Sequence, residues 1–145
     1  MLNAMKKSLN HPKIFLKKIV VKPKPWGREI WFAWTDRYAG KILELKKGHR
    51  FSLQYHERKM ETQLLIQGKL KVTFGKNQKR LQSKVLKAGD KIDILPYTIH
   101  RALALEHSII FEVSSSELDD VTKLDDDYGR KGKGNNEALD RKLSK

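Results

Sequence analysis

Between Trp26 and Ser114 the chain consists of short runs in which apolar or β-branched residues alternate with polar ones, and glycines interrupt the runs. REIWFAWT, KILELK, FSLQYH, TQLLIQ, KLKVTF, SKVLK, KIDIL, RALAL and SIIFEV are the clearest, punctuated by Gly40, Gly48, Gly68, Gly75 and Gly89. A period of two sends successive side chains to opposite faces of a strand. Each run can therefore bury its apolar face only by pairing with other strands and packing against a second sheet. Many short strands with turn residues between them predict an all-β sandwich or barrel. No helical periodicity of comparable length competes with this, although KKSL and EALDRKL near the two ends could form short helical turns.

A chain of 145 residues suits one domain. It contains no cysteine, which excludes disulfides and thiolate-bound zinc and fits a reducing compartment. Any metal must then be held by His, Glu, Asp or Gln. The first segment begins like a signal peptide, but Lys17 and Lys18 divide its apolar residues and no small-residue cleavage pattern follows. No other run approaches the roughly 20 apolar residues of a membrane span. The expectation is a soluble, cytoplasmic protein without a membrane partner.

The formal net charge of +14 raises the question of nucleic acid. Lys and Arg are concentrated before Pro25 and after Arg130, and no helix-turn-helix, zinc-finger or RNA-recognition pattern accompanies them. The charge reads as a solvated surface with weak attraction for phosphorylated small molecules, and no specific nucleic-acid partner is expected. From Lys131 the sequence is polar and glycine-bearing. The expected organisation is a basic N-terminal extension over 1–21, a β domain over 22–130 and a disordered tail over 131–145.

Within FSLQYHERKMETQLLIQG, Gln54 and His56 stand two apart and so share one face of a strand, with Leu53 and Tyr55 on the other. Glu61 and Gly68 follow. Gly48 precedes Gln54 by five intervening residues, and Gly89 precedes His100 by ten. Taken singly, each of these would be an ordinary polar residue.

Together, at this spacing, they resemble the cupin superfamily. Its first motif is Gly, five residues, His-x-His, three or four residues, Glu, six residues, Gly. The chain keeps every one of these spacings and replaces the first His with Gln54. The second motif is looser: Leu95 stands at the usual Pro, Tyr97 at the usual Gly and Ala104 at the usual Asn, while His100 is retained. The missing Gly bears on the turn before His100, because Tyr tolerates positive φ poorly.

The chain is still more similar to the cupin domain of type II phosphomannose isomerases, through KPWG at 24–27, SLQYH at 52–56, HR at 100–101 and LDDVTKLDDDYGR at 118–130. The resemblance implies a single-domain jelly-roll barrel (a double-stranded β-helix) with irregular extensions. It implies a divalent metal, with Zn²⁺ favoured over Mn²⁺ or Fe²⁺, bound by Gln54, His56, Glu61 and His100. Two neutral imidazoles, a carboxylate and an amide oxygen suit such an ion, which could polarise a sugar carbonyl.

The resemblance further implies a sugar or sugar-phosphate substrate contacted by Lys59, Arg101 and Arg130, and aldose–ketose isomerisation of the mannose-6-phosphate isomerase type. Glu57 and Lys59 are the candidate bases, and a homodimer is expected. The chain departs from the family at Glu57, Arg58 and Thr62, where the enzymes carry further His residues. That departure favours the alternative of a non-catalytic sugar- or metal-binding module. Trp26, Trp31, Trp34 and Phe32 read as core or interface aromatics, His11, His49 and His107 as solvent-facing, and Asp125–Asp127 as a solvated acidic turn.

Overall fold

The computed structural model describes residues 14–145, so His11, the KKSL segment and most of the N-terminal extension lie outside the described residues. The strands are β1 Val20–Lys24, β2 Gly27–Trp34, β3 Ala39–Leu45, β4 Leu53–Tyr55, β5 Glu61–Gln67, β6 Lys69–Gly75, β7 Gln82–Lys87, β8 Lys91–Ile94, β9 Ile99–Ala104, β10 Ser108–Ser114, β11 Thr122–Asp125 and β12 Gly132–Lys133. One helix, α1 Glu137–Leu143, follows them. Each alternating run of the sequence forms one strand of the series β2 to β10. β1, β11 and β12 lie outside those runs: β1 carries Pro23, which an edge strand tolerates.

Two antiparallel six-stranded sheets, ordered β1-β2-β3-β10-β5-β8 and β12-β11-β4-β9-β6-β7, face each other as a jelly roll. Sequence neighbours such as β4 and β5 lie in opposite sheets, which brings Gln54 of one and Glu61 of the other to a common interior. Gly68 makes the tight link from β5 to β6 at φ +90°; a Cβ there would lie 2.4 Å from the His107 carbonyl oxygen.

The interior differs along its length. Leu43, Ile110 and Leu65 form an in-register row across β3, β10 and β5, and with Leu45, Leu70, Val72 and Trp26 they make the apolar core. Two residues further along the same strands the inward row is Lys41, Glu112 and Gln63, all buried. On the outside of this sheet Phe32, Phe111 and Val113 are exposed, and Trp34, past the bulge in β2, is exposed beside Trp31, so of the aromatics expected in the core or an interface Trp26 is the one fully buried.

The tail expected to be disordered is structured in the described residues. α1 is too short to persist alone. Asn136 caps it by accepting a hydrogen bond from the Leu139 N–H at 3.1 Å, and Glu137 and Arg141 complement the ends of the helix. What docks it is charge. The buried carboxylate of Asp140 accepts from Lys24 Nζ at 2.7 Å and from Arg130 Nη1 at 3.0 Å, and exposed Glu137 accepts from Lys22 at 2.7 Å. A polar composition concealed this anchor, because the residue that is buried is an aspartate rather than a leucine.

Removing one partner of a buried ion pair strands the other. Asp140→Ala is predicted to cost on the order of 3 kcal/mol by urea unfolding. Hydrogen exchange over residues 137–143 should rise to the rate of an exposed segment; unchanged protection there would contradict the ionic docking.

Candidate metal centre

Gln54 on β4 lies opposite His100 on β9, and His56 follows two residues along. Glu61 opens β5 in the facing sheet. The intervening turn, 57–59, is organised by one side chain: Asp120 accepts the backbone N–H groups of Glu57 (3.1 Å), Arg58 (2.7 Å) and Lys59 (2.8 Å). Burial would raise the Asp120 carboxyl, but these three donors hold it below its ordinary value.

His56 Nδ1 lies 2.6 Å from the Asp120 carbonyl, and His100 Nδ1 lies 2.9 Å from the Thr98 carbonyl. A carbonyl oxygen only accepts, so both Nδ1 atoms donate, and in the neutral form of each ring Nε2 then carries the lone pair. These two Nε2 atoms stand 3.6 Å and 3.2 Å from Glu61 Oε1. Both are buried and lack a hydrogen-bond partner. Lone pairs facing a carboxylate oxygen repel unless a cation lies between them. Ligand atoms about 2.1 Å from a tetrahedral ion stand roughly 3.4 Å apart, and the observed separations bracket that value. One ligand atom from each of His56, Glu61 and His100 falls within 4.8 Å of the others, so the group could hold a divalent metal.

Gln54 lines the same chamber, and its Oε1 accepts from Ser52 Oγ at 2.7 Å, which leaves the amide oxygen one further lone pair. The turn before His100 survives the loss of glycine: Tyr97 takes φ +62°, its N–H donates to the His56 carbonyl at 2.7 Å, and its ring stacks on Tyr55.

The other expected site residues are placed differently. Glu57 is exposed in the turn and does not line the chamber. Lys59 is buried, with Nζ bonded to Glu61 Oε2 and to Glu112 Oε1, the latter at 2.9 Å. Burial alone would lower its pKa; the charges of Glu112 and Glu61 raise it instead, so Lys59 is a fixed ammonium ion rather than a base. By occupying Oε2 it leaves Oε1 of Glu61 for the imidazoles. For Glu61, burial opposes ionisation, but the Lys59 ammonium holds the carboxyl well below the usual carboxylate range.

Arg101 points away from the chamber and is tied to the Phe51 carbonyl and to Asp125 at 3.1 Å. Arg130 reaches the chamber wall with its charge already matched by Asp126 (2.8 Å) and Asp140 (3.0 Å). The acidic triplet is not a solvated turn. Asp125, Asp126 and Asp127 clamp Arg101, Arg130 and Arg50 in turn, and Asp126 is buried.

Glu112, Asp120, Glu29 and Lys41 are residues of this region that the sequence reading missed. Glu112 was open to detection: in SIIFEV it shares parity with Ile110 and so points inward.

A two-sheet jelly roll with His, Glu and His brought together from strands of both sheets defines a cupin. Residues 8–126 match the family described as mannose-6-phosphate isomerase C-terminal, and the chain belongs to that family. No curated protein matches it.

Among solved structures it is similar to the capsular polysaccharide assembling protein CapF from Staphylococcus aureus, at 18% identity and TM-score 0.59, covering 81% of this chain and 34% of that one. It is similar to KdgF from Halomonas sp., at 21% identity and TM-score 0.61, covering 76% and 98%. An RmlC-like cupin from Shewanella frigidimarina matches at 18% identity and TM-score 0.60, covering 76% and 95%. The chain thus spans about a third of CapF. These likenesses show the fold. Among the described residues no helix is long and apolar enough to cross a membrane.

Two predictions follow from this geometry. His56→Ala and His100→Ala are expected to abolish stoichiometric uptake of Zn²⁺, Mn²⁺ or Fe²⁺, and Asp120→Ala to weaken it roughly 10- to 100-fold through the released turn. Elemental analysis after loading measures this, and a histidine variant with full stoichiometry contradicts the site.

The second concerns Glu29, which accepts from Trp31 Nε1 at 2.8 Å and pairs with Lys41 at 3.2 Å. Burial would raise its carboxyl, but Lys41, Lys24 and Trp31 outweigh that and set it at about 2. A depressed carboxyl contributes stability that is complete above the unfolded value and lost as pH falls through the folded one. The advantage of wild type over Glu29→Gln should therefore shrink by about 3 kcal/mol between about pH 5 and about pH 2, read by urea titration.

Proposed function

We propose that this chain is a metal-dependent cupin acting on a sugar or sugar phosphate, by aldose–ketose isomerisation of the mannose-6-phosphate isomerase type, with Zn²⁺ favoured over Mn²⁺ or Fe²⁺. The observation that carries the reading is the pair of buried, unpartnered imidazole nitrogens beside Glu61 in a chain of this family. The similarity to a capsular polysaccharide assembling protein supports a carbohydrate ligand.

A divalent cation held by His56, Glu61 and His100, with Gln54 as fourth donor, supplies Lewis-acid polarisation of a sugar oxygen. Isomerisation also needs a group that moves a proton between adjacent carbons. Glu57 lies outside the chamber, and Lys59 is held protonated. Glu112 lines the chamber, and burial together with the negative charge of Glu61 pushes its carboxyl up. We assign the proton transfer to Glu112, with Lys59 and Gln63 Nε2 orienting its two oxygens at 2.9 and 3.3 Å.

The alternative, a non-catalytic sugar- or metal-binding module, is favoured by the Lys59 bridge, which partly neutralises Glu112. Turnover separates the two readings. The metal-loaded protein is expected to convert mannose 6-phosphate to fructose 6-phosphate in a coupled assay, and Glu112→Gln to lower the rate at least roughly 100-fold. Sugar binding without turnover under every metal tested would replace the isomerase with the module.

A further inference from the structure

The chamber lined by Gln54, His56 and Glu61 is small, about 60 Å³, room for roughly two waters. Lys123, Arg130 and Asn135 line both this chamber and an outer cleft of about 470 Å³ between β11 and α1. A sugar too large for the chamber beside His56 and Glu61 has that cleft next to it for its remaining part. Five cations line the chamber, and four are matched: Lys24 by Asp140, Lys41 by Glu29, Lys59 by Glu61 and Glu112, and Arg130 by Asp126 and Asp140.

Lys123 is different. It is 9% exposed, and among the described residues it forms no ion pair; its one partner is the Gly134 carbonyl. An ammonium group has three donors, so two remain unused here. Lys123 lies opposite Gln54 on β4, and Gln54 lies opposite His100 on β9, so the three form one cross-strand row on the inner face. Adjacent members of such a row have Cβ atoms about 5 Å apart, which sets the Cβ atoms of Lys123 and His100 about 10 Å apart.

We propose that Lys123 is the anion-recognition residue of this protein, taking the phosphate or carboxylate of a sugar whose other oxygens face His56, Glu61 and His100. This rests on the sugar reading above and names its substrate class. Recruiting Arg130 or Lys59 for that task would uncover buried carboxylates, whereas Lys123 gives up at most one bond to a neutral carbonyl. Burial, with the charges of Arg130 and Lys24 nearby, lowers the Lys123 pKa, and an incoming anion would relieve that cost.

The test is calorimetric binding of mannose, mannose 6-phosphate and mannuronate to the zinc-loaded 145-residue chain. Wild type should bind one or both anionic sugars roughly 10- to 100-fold more tightly than mannose, and whichever anionic sugar it prefers distinguishes phosphate from carboxylate. Lys123→Met should erase that preference, Lys123→Arg should keep it, and Lys71→Met on the exposed outer surface should leave it unchanged. Zinc stoichiometry reports folding, and Lys123→Gln, which retains a donor to the Gly134 carbonyl, replaces Lys123→Met should that variant not fold. A preference that survives in the uncharged variant overturns the proposal. Wild type binding all three sugars equally also overturns it but leaves the sugar reading standing. Wild type binding none of them removes both.

Discussion

The polar end of this barrel depends on the pairing of charges that point inward. Lys59 is central: a single ammonium group bridges Glu61 and Glu112, while Gln63 donates to both carboxylates from the other side. Two buried carboxylates without that cation would repel each other across a low-dielectric interior. Such networks add little net stability compared with apolar packing. What they do provide is position. Glu61 is fixed with one oxygen on Lys59 and the other toward two imidazoles whose tautomers are set by backbone carbonyls.

The division of the interior explains how one small barrel can both fold and hold such a site. The Leu43–Ile110–Leu65 row and the Lys41–Glu112–Gln63 row occupy the same three strands, two residues apart. The first removes apolar surface from water at about 25 cal/mol per Å² and supplies the driving force. The second spends none of that surface and instead satisfies its own polar atoms. The C-terminal segment extends the same arrangement outward. Asp126 and Asp140 bracket Arg130, so the ending of the motif acts as an ionic clasp that ties α1 to β1 and forms one wall of the cleft.

Alternation and glycine punctuation made β2 to β10 legible, because period-two burial is a local signal. The grouping of His56, Glu61 and His100 was suggested by the cupin-like spacing, with Gln54 and His56 sharing parity on one strand. What could not be read were partners fixed by long-range register. Nothing local says that Asp126 meets Asp140 through Arg130, or that Arg101 turns to Asp125 and away from the chamber. The family ending suggested basic contacts for a substrate. Neutralisation of Arg130 depends on a tail whose polar composition read as disorder, and Lys123 stands out only once every other cation in the chamber has been matched.

Tyr97 shows the same coupling at the backbone. A left-handed conformation costs a residue with a Cβ about 1–2 kcal/mol, which is why glycine is expected before His100. The offset stack on Tyr55 returns roughly 0.5–1.5 kcal/mol, less what the ring's exposure to water removes. The balance is closed by geometry that glycine alone would not enforce. The Tyr97 N–H meets the His56 carbonyl and, one residue on, the Thr98 carbonyl receives His100 Nδ1. The strained residue therefore ties His56 and His100 to each other through the main chain. Relaxing it would loosen the spacing between their free nitrogens more than it would change the stability of the fold.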